Sequence, residues 1–164
     1  MIGLVVMGHA PFAAALHACA RHVYGCVPER FVVIDVVADA DVESELARAR
    51  QAVVDVDSGD GVLVLVDMFG ATPGNIAAQL AQPGRVEVVA GVNLPMLMRT
   101  LCYRDQTKIA DMPEKALGGG ASGMMKIGST APQSQRPLSP PPFPHDPNST
   151  DGGPTDGSSR LQDQ

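Results

Sequence analysis

Three short apolar runs, IGLVVM (2–7), FVVIDVV (31–37) and GVLVLV (61–66), constrain this chain more than any other feature. Each is rich in Val and too short for a typical helix. A strand with one wet face alternates apolar and polar residues, whereas a strand covered on both faces stays apolar. The runs therefore read as buried parallel strands, and RVEVVAG (85–91) as a fourth, more mixed one.

Helical patterns fill the intervals. Phe12, Leu16, Cys19, Ala20 and Val23 share one face, with Arg21 and His22 in the last turn and Gly25 as a stop. That face makes Cys19 a buried thiol and leaves His17 and His22 solvated. Val42, Leu46, Ala49, Val53 and Val56 recur at 4-3-4-3 spacing. Asp41 is a natural N-cap there, with Glu43 and Glu45 in the first turn. Residues 73–81 read as a third helix and 95–103 as a fourth, opened by NLP. A segment over 113–125 adds a last helix, although it contains GGGASG and each interior Gly costs about 1 kcal/mol. The alternation of strand and helix predicts an α/β three-layer sandwich with a mostly parallel sheet.

The chemistry changes after Ile127. Residues 128–164 hold eight prolines, including PLSPPPFP, and almost nothing apolar to bury. They read as a Pro/Gly/Ser-rich disordered tail behind a single domain over 1–127. Net charge is −6, with 10 basic and 14 acidic residues up to Ile127 and 2 and 4 beyond it. Neither part is basic, which argues against nucleic acid and anionic membranes as partners. Three scattered cysteines suggest neither a zinc site nor a disulfide framework. MIGLVV lacks a basic n-region and a cleavage site, and no apolar run approaches the roughly 20 residues that span a bilayer. The chain reads as soluble and cytoplasmic.

Ligands of an open parallel sheet gather beyond the C-terminal ends of the strands, where the strand order reverses. His9 is expected just past strand 1 and Asp67 just past strand 3. In the common order 2-1-3-4 these strands are neighbours, about 4.8 Å apart. A carboxylate that accepts from one imidazole nitrogen fixes the tautomer and leaves the other nitrogen free as a nucleophile. The following MFGATPGN supplies a tight turn at Gly70, an N-cap at Thr72 and a Pro at the first helical position. Amides around Ala71, Thr72 and Gly74 would face the crevice as an anion site, and the helix after His9 offers a second positive end. Phosphoryl transfer fits these parts. GATPGN lacks the Lys-Ser/Thr ending of a P-loop, and no GxGxxG follows strand 1. A receiver domain would place its Asp as Asp67 is placed, but would need acidic metal ligands where Gly8-His9-Ala10 stands. No metal and no cofactor are expected.

VVMGHAPFA (5–13), DMFGATPGN (67–75) and AGVNLPMLMR (90–99) together resemble the mannose-type enzyme IIA components of the bacterial phosphoenolpyruvate-dependent sugar phosphotransferase system. The resemblance runs over 1–127. It implies a flavodoxin-like fold, often as a homodimer. It implies that His9 accepts phosphate on Nε2 from the phosphocarrier protein HPr and that Asp67 orients it. By the same likeness, Gly70, Ala71 and Thr72 hold the phosphoryl oxygens and Asn93 shapes the rim. A IIB protein or a regulatory target would take the signal onward. Ala10-Pro11 after the histidine matches a subgroup associated with solitary regulatory proteins. The competing readings are a non-catalytic interaction module on the same fold and a small-molecule-binding flavodoxin-like protein.

Overall fold

The computed structural model describes residues 1–26 and 28–127, so the predicted tail lies outside the described residues. The chain runs through β1 (Gly3–His9), α1 (Phe12–Tyr24), β2 (Phe31–Val36), α2 (Val42–Val56), β3 (Val62–Val66), α3 (Thr72–Ala78), β4 (Val86–Ala90) and α4 (Leu94–Tyr103). A 3-10 turn (Ile109–Asp111) then leads into α5 (Met112–Ser122). The four strands form one sheet in the order β2-β1-β3-β4, and every pairing is parallel. This is the expected α/β sandwich. β1 is longer than its apolar run suggests: His9 is its last residue and pairs with Val36. Among the described residues no helix is long and apolar enough to cross a membrane.

Why the strands are apolar throughout is visible in the two cores. Leu4, Val6, Leu63 and Leu65 point into a layer filled by α1, α4 and α5. Val5, Met7, Val62, Val64 and Val66 point the other way, under α2 and α3. β1 and β3 are thus buried on both sides, and a fully buried Val or Leu stabilises the fold by about 1.5–3 kcal/mol.

Two helices turn differently from expectation. α1 buries Ala13, Leu16 and Ala20. Cys19 is exposed, and Val23 is 55% exposed. His17 is half-buried and packs edge-on against Phe31, with ring centroids 5.1 Å apart. In a segment this rich in Ala, hydrophobic periodicity gives the helix but only a weak phase, and tertiary contacts set the rotation. In α2, Ala49, Ala52 and Val56 are buried while Val42 is 47% exposed. Asp41 does cap α2, accepting from the Ser44 amide at 2.9 Å.

The glycine run of α5 has a packing reason. α5 lies against α4, and a Cβ added at Gly119 would come within 2.7 Å of Arg99 Cγ, one at Gly120 within 2.9 Å of Met96 Cε. Gly118 faces open space. Two adjacent changes should therefore have opposite signs. Gly118→Ala should stabilise the protein by about 0.5–1 kcal/mol through helix propensity. Gly119→Ala gains the same propensity but should be a net loss, because overpacking costs about 1–3 kcal/mol. Thermal melts of both variants check this.

Candidate functional site

The end of β1 is held on both flanks. The Ala10 amide donates to Val36 O at 3.0 Å on the β2 side, and the Asp67 amide donates to Met7 O at 3.2 Å on the β3 side. These bonds continue the sheet ladder past its last residues and bring His9 and Asp67 together from 58 residues apart. Asp67 Oδ2 accepts from the His9 amide at 2.8 Å and meets the His9 ring nitrogen Nδ1 at 2.6 Å. Its other oxygen accepts from the Met68 amide at 2.8 Å.

Burial works against charge on Asp67, but hydrogen bonds from the His9 amide, the His9 ring and the Met68 amide outweigh it and hold the carboxyl below its usual value. An ionised carboxylate has no proton to give. The proton in the 2.6 Å contact therefore belongs to Nδ1, and Nε2 carries the lone pair. The side chains differ in access: Asp67 is 11% exposed and His9 48%. The carboxylate is shielded and the imidazole is open.

Gly8 makes this approach possible. A Cβ there would stand 3.1 Å from Asp67 Cβ and Cγ and 3.0 Å from Phe12 Cδ1. Any side chain at this position would push on the carboxylate or on α1.

The loop after Asp67 differs from expectation in one detail. Gly70 takes left-handed backbone, φ 80°. Ala71, not Thr72, is the N-cap of α3, with φ −98° and ψ 170°, and no side chain caps the helix. Thr72 is the first helical residue and is exposed, so its hydroxyl is not turned back onto the first turn. Pro73 is buried. Asn93 lies beyond the end of β4. Its Oδ1 accepts from the Met96 amide at 2.9 Å and its Nδ2 donates to Gly120 O at 3.3 Å. Among the described residues it therefore caps α4 and ties it to α5, and it does not bond the His9–Asp67 pair.

The positive end of α1 is also not open, because Asp35 fills it. Its Oδ1 accepts from the amides of Ala13 at 2.8 Å and Ala14 at 3.3 Å. Asp35 escaped the sequence reading, yet a signal was there: it is the one charged residue in FVVIDVV. A carboxylate inside a buried run needs partners, and a helix start is a ready source of them.

Residues 3–117 match the EIIA-man family model, described as the PTS system fructose IIA component. The chain belongs to the mannose-type IIA family of the phosphotransferase system. This mannose-type IIA chain is 31% identical over 113 residues to the fructose-specific EIIA component of Bacillus subtilis, covering 68% of the chain and 77% of that relative. It is 38% identical over 73 residues to the mannose-specific EIIAB component of Escherichia coli K12, covering 44% of the chain and 23% of that longer protein. The crystal structure of a phosphotransferase system component EIIA from Streptococcus agalactiae superposes with a TM-score of 0.72 at 22% identity. It covers 79% of this chain and 100% of that one. The last likeness shows the flavodoxin-like fold. Membership makes this IIA protein a phosphoryl carrier of the sugar phosphotransferase system.

Proposed function

We propose that His9 is the phosphoryl acceptor and that its donor is phosphorylated HPr. The observation that carries this is the 2.6 Å contact between Nδ1 and Asp67 on a ring that stays half-exposed. The Nε2 lone pair forms a bond to phosphorus as the donor's N–P bond breaks, and the electron pair of that bond stays on the donor nitrogen. The Nδ1 proton remains in its hydrogen bond, so the positive charge gained by the ring faces Asp67. The same exchange runs in reverse when the phosphoryl group is passed to a IIB protein, or when its presence is the signal to a regulatory target. The turn at Gly70, Ala71 and Thr72 begins three residues after Asp67, and its amides are suited to the phosphoryl oxygens. Asn93 supports the rim by fixing the start of α4.

The test is an intact-mass measurement after incubation with phosphoenolpyruvate, enzyme I and HPr. A gain of one acid-labile phosphate supports a carrier. No gain supports the interaction module instead.

The loop beside His9 also looks built for a macromolecular donor. Phe69 is 90% exposed and Met68 54%, and large exposed apolar groups next to a reactive centre mark a docking face. Phe69→Ala should raise the concentration of phospho-HPr needed for half-maximal rate by about tenfold. The rate at saturation and the melting temperature should stay unchanged. Rapid-quench kinetics over a range of donor concentrations would measure the split.

A further inference from the structure

A row of the sheet centred on Gly8 carries a carboxylate on each side. Asp35 is the register partner of Gly8 on β2. Asp67 follows Val66, the partner of Met7 on β3, and flanks Gly8 from the other side. Both acids lie on the α1 side: Asp35 reaches the first amides of that helix, and the space above Gly8 is bounded by Phe12 and Asp67. With neighbouring strands about 4.8 Å apart, Gly8, the residue before the nucleophile, stands between two acids. Their roles differ. Asp67 binds the ring, whereas among the described residues the Asp35 carboxylate bonds α1.

We propose that Asp35 sets how readily phospho-His9 gives up its phosphoryl group. The proposal rests on His9 being the acceptor. A phosphoryl group brings about −1.5 to −2 charge. Asp67 compensates by facing the positive ring. Asp35 has the opposite effect in two ways: its own charge repels the group, and its oxygen occupies the α1 amides that would otherwise attract it. Each raises the free energy of the phosphorylated form above the unphosphorylated one. A carrier must hand its cargo on, so a site that bound the phosphate as tightly as its geometry allows would stop the relay. The transfer step is the balanced exchange given above. Asp35 neither donates nor accepts a proton in it and acts through position and charge.

The experiment mixes the full chain with HPr and phospho-HPr at a fixed ratio and reads the phosphorylated fraction at equilibrium by intact mass. Asp35→Asn keeps an acceptor oxygen for the α1 amides but removes the charge. It should shift the equilibrium toward phospho-His9 by about three- to tenfold, as expected for a unit charge acting across about 10 Å on a group of about two charges. Asp35→Ala should shift it in the same direction and also lower the melting temperature, because the helix start loses its cap. Asp35→Glu, which keeps the charge, should stay near the wild-type equilibrium. So should Asp39→Asn, which removes a charge from the exposed loop after β2.

An Asp35→Asn equilibrium within about twofold of wild type, or shifted toward free His9, would overturn the proposal. So would a shift in Asp35→Ala without one in Asp35→Asn, since cap geometry rather than charge would then be responsible. A folded Asp35→Asn variant that takes no label would overturn it as well. Absence of label from the wild-type chain is a distinct result and would refute the reading of His9 itself.

Discussion

Replacing His9 by Ala is expected to abolish phosphorylation by phosphoenolpyruvate, enzyme I and HPr while leaving the fold intact. The ring is half-exposed, and among the described residues its hydrogen bond is to Asp67. The backbone share of that contact, His9 amide to Asp67 at 2.8 Å, survives the change. A stability loss of no more than about 1 kcal/mol follows, so the loss of label cannot be blamed on unfolding if the melting curve is kept. Among the described residues no other histidine offers a substitute: His17 is packed against Phe31, and His22 is exposed on α1 away from Asp67. Radiolabel transfer followed by gel autoradiography is sufficient. Persistent labelling of the variant would refute the assignment.

Asp67→Ala should slow phosphoryl transfer by about a hundredfold, the scale of a misplaced but otherwise intact reacting group. Asp67→Asn should be no better. Oδ2 meets both the His9 amide and Nδ1 and Oδ1 meets the Met68 amide, so either placement of the NH₂ sets it against a backbone N–H; where it takes the Oδ2 place, Nδ1 must accept. The ring proton moves to Nε2 and blocks the nucleophile. Single-turnover rates at saturating phospho-HPr would show both losses, and wild-type rates in either variant would remove Asp67 from the mechanism.

The same residue carries a pH signature. Its folded-state pKa lies below the ordinary carboxyl value because three N–H groups prefer the charged form. In acid the unfolded chain therefore takes up a proton that the folded chain resists. Asp67 contributes stability that is fully present above about pH 4 and is lost as pH falls through its folded value. The stability gap between wild type and Asp67→Ala should accordingly be widest near neutrality and close in acid. Urea titrations at pH 7 and pH 3 compare the two.

Much of this architecture was legible because its determinants are local. Strands buried on two faces need unbroken Val and Leu, and that pattern placed the first three strands; the fourth was read from a more mixed run, and the order was taken as the common one for such a sheet. The His9–Asp67 pair was legible for a topological reason, since neighbouring strand ends in a 2-1-3-4 sheet meet wherever the loops begin. What escaped depends on contacts between distant segments. Cys19 was turned outward because packing on Phe31 and the sheet rotates an Ala-rich helix whose own pattern has little phase. Thr72 lost its expected N-cap place to Ala71 because the left-handed turn at Gly70 starts α3 one residue early. Asp35 was passed over because its partners lie on another element, at the start of α1. The glycines of α5 looked like a weakness in a helix until α4 was seen against them.

β1 carries His9, and every residue from Gly3 to Gly8 is buried. The central strand of a sheet is normally the last segment to open, with its amides exchanging only when the whole domain comes apart. The proposed acceptor, mounted there, has no private way to fail. Partial fraying of α5 would leave its bearing unchanged, so the working lifetime of the carrier follows the lifetime of the sheet.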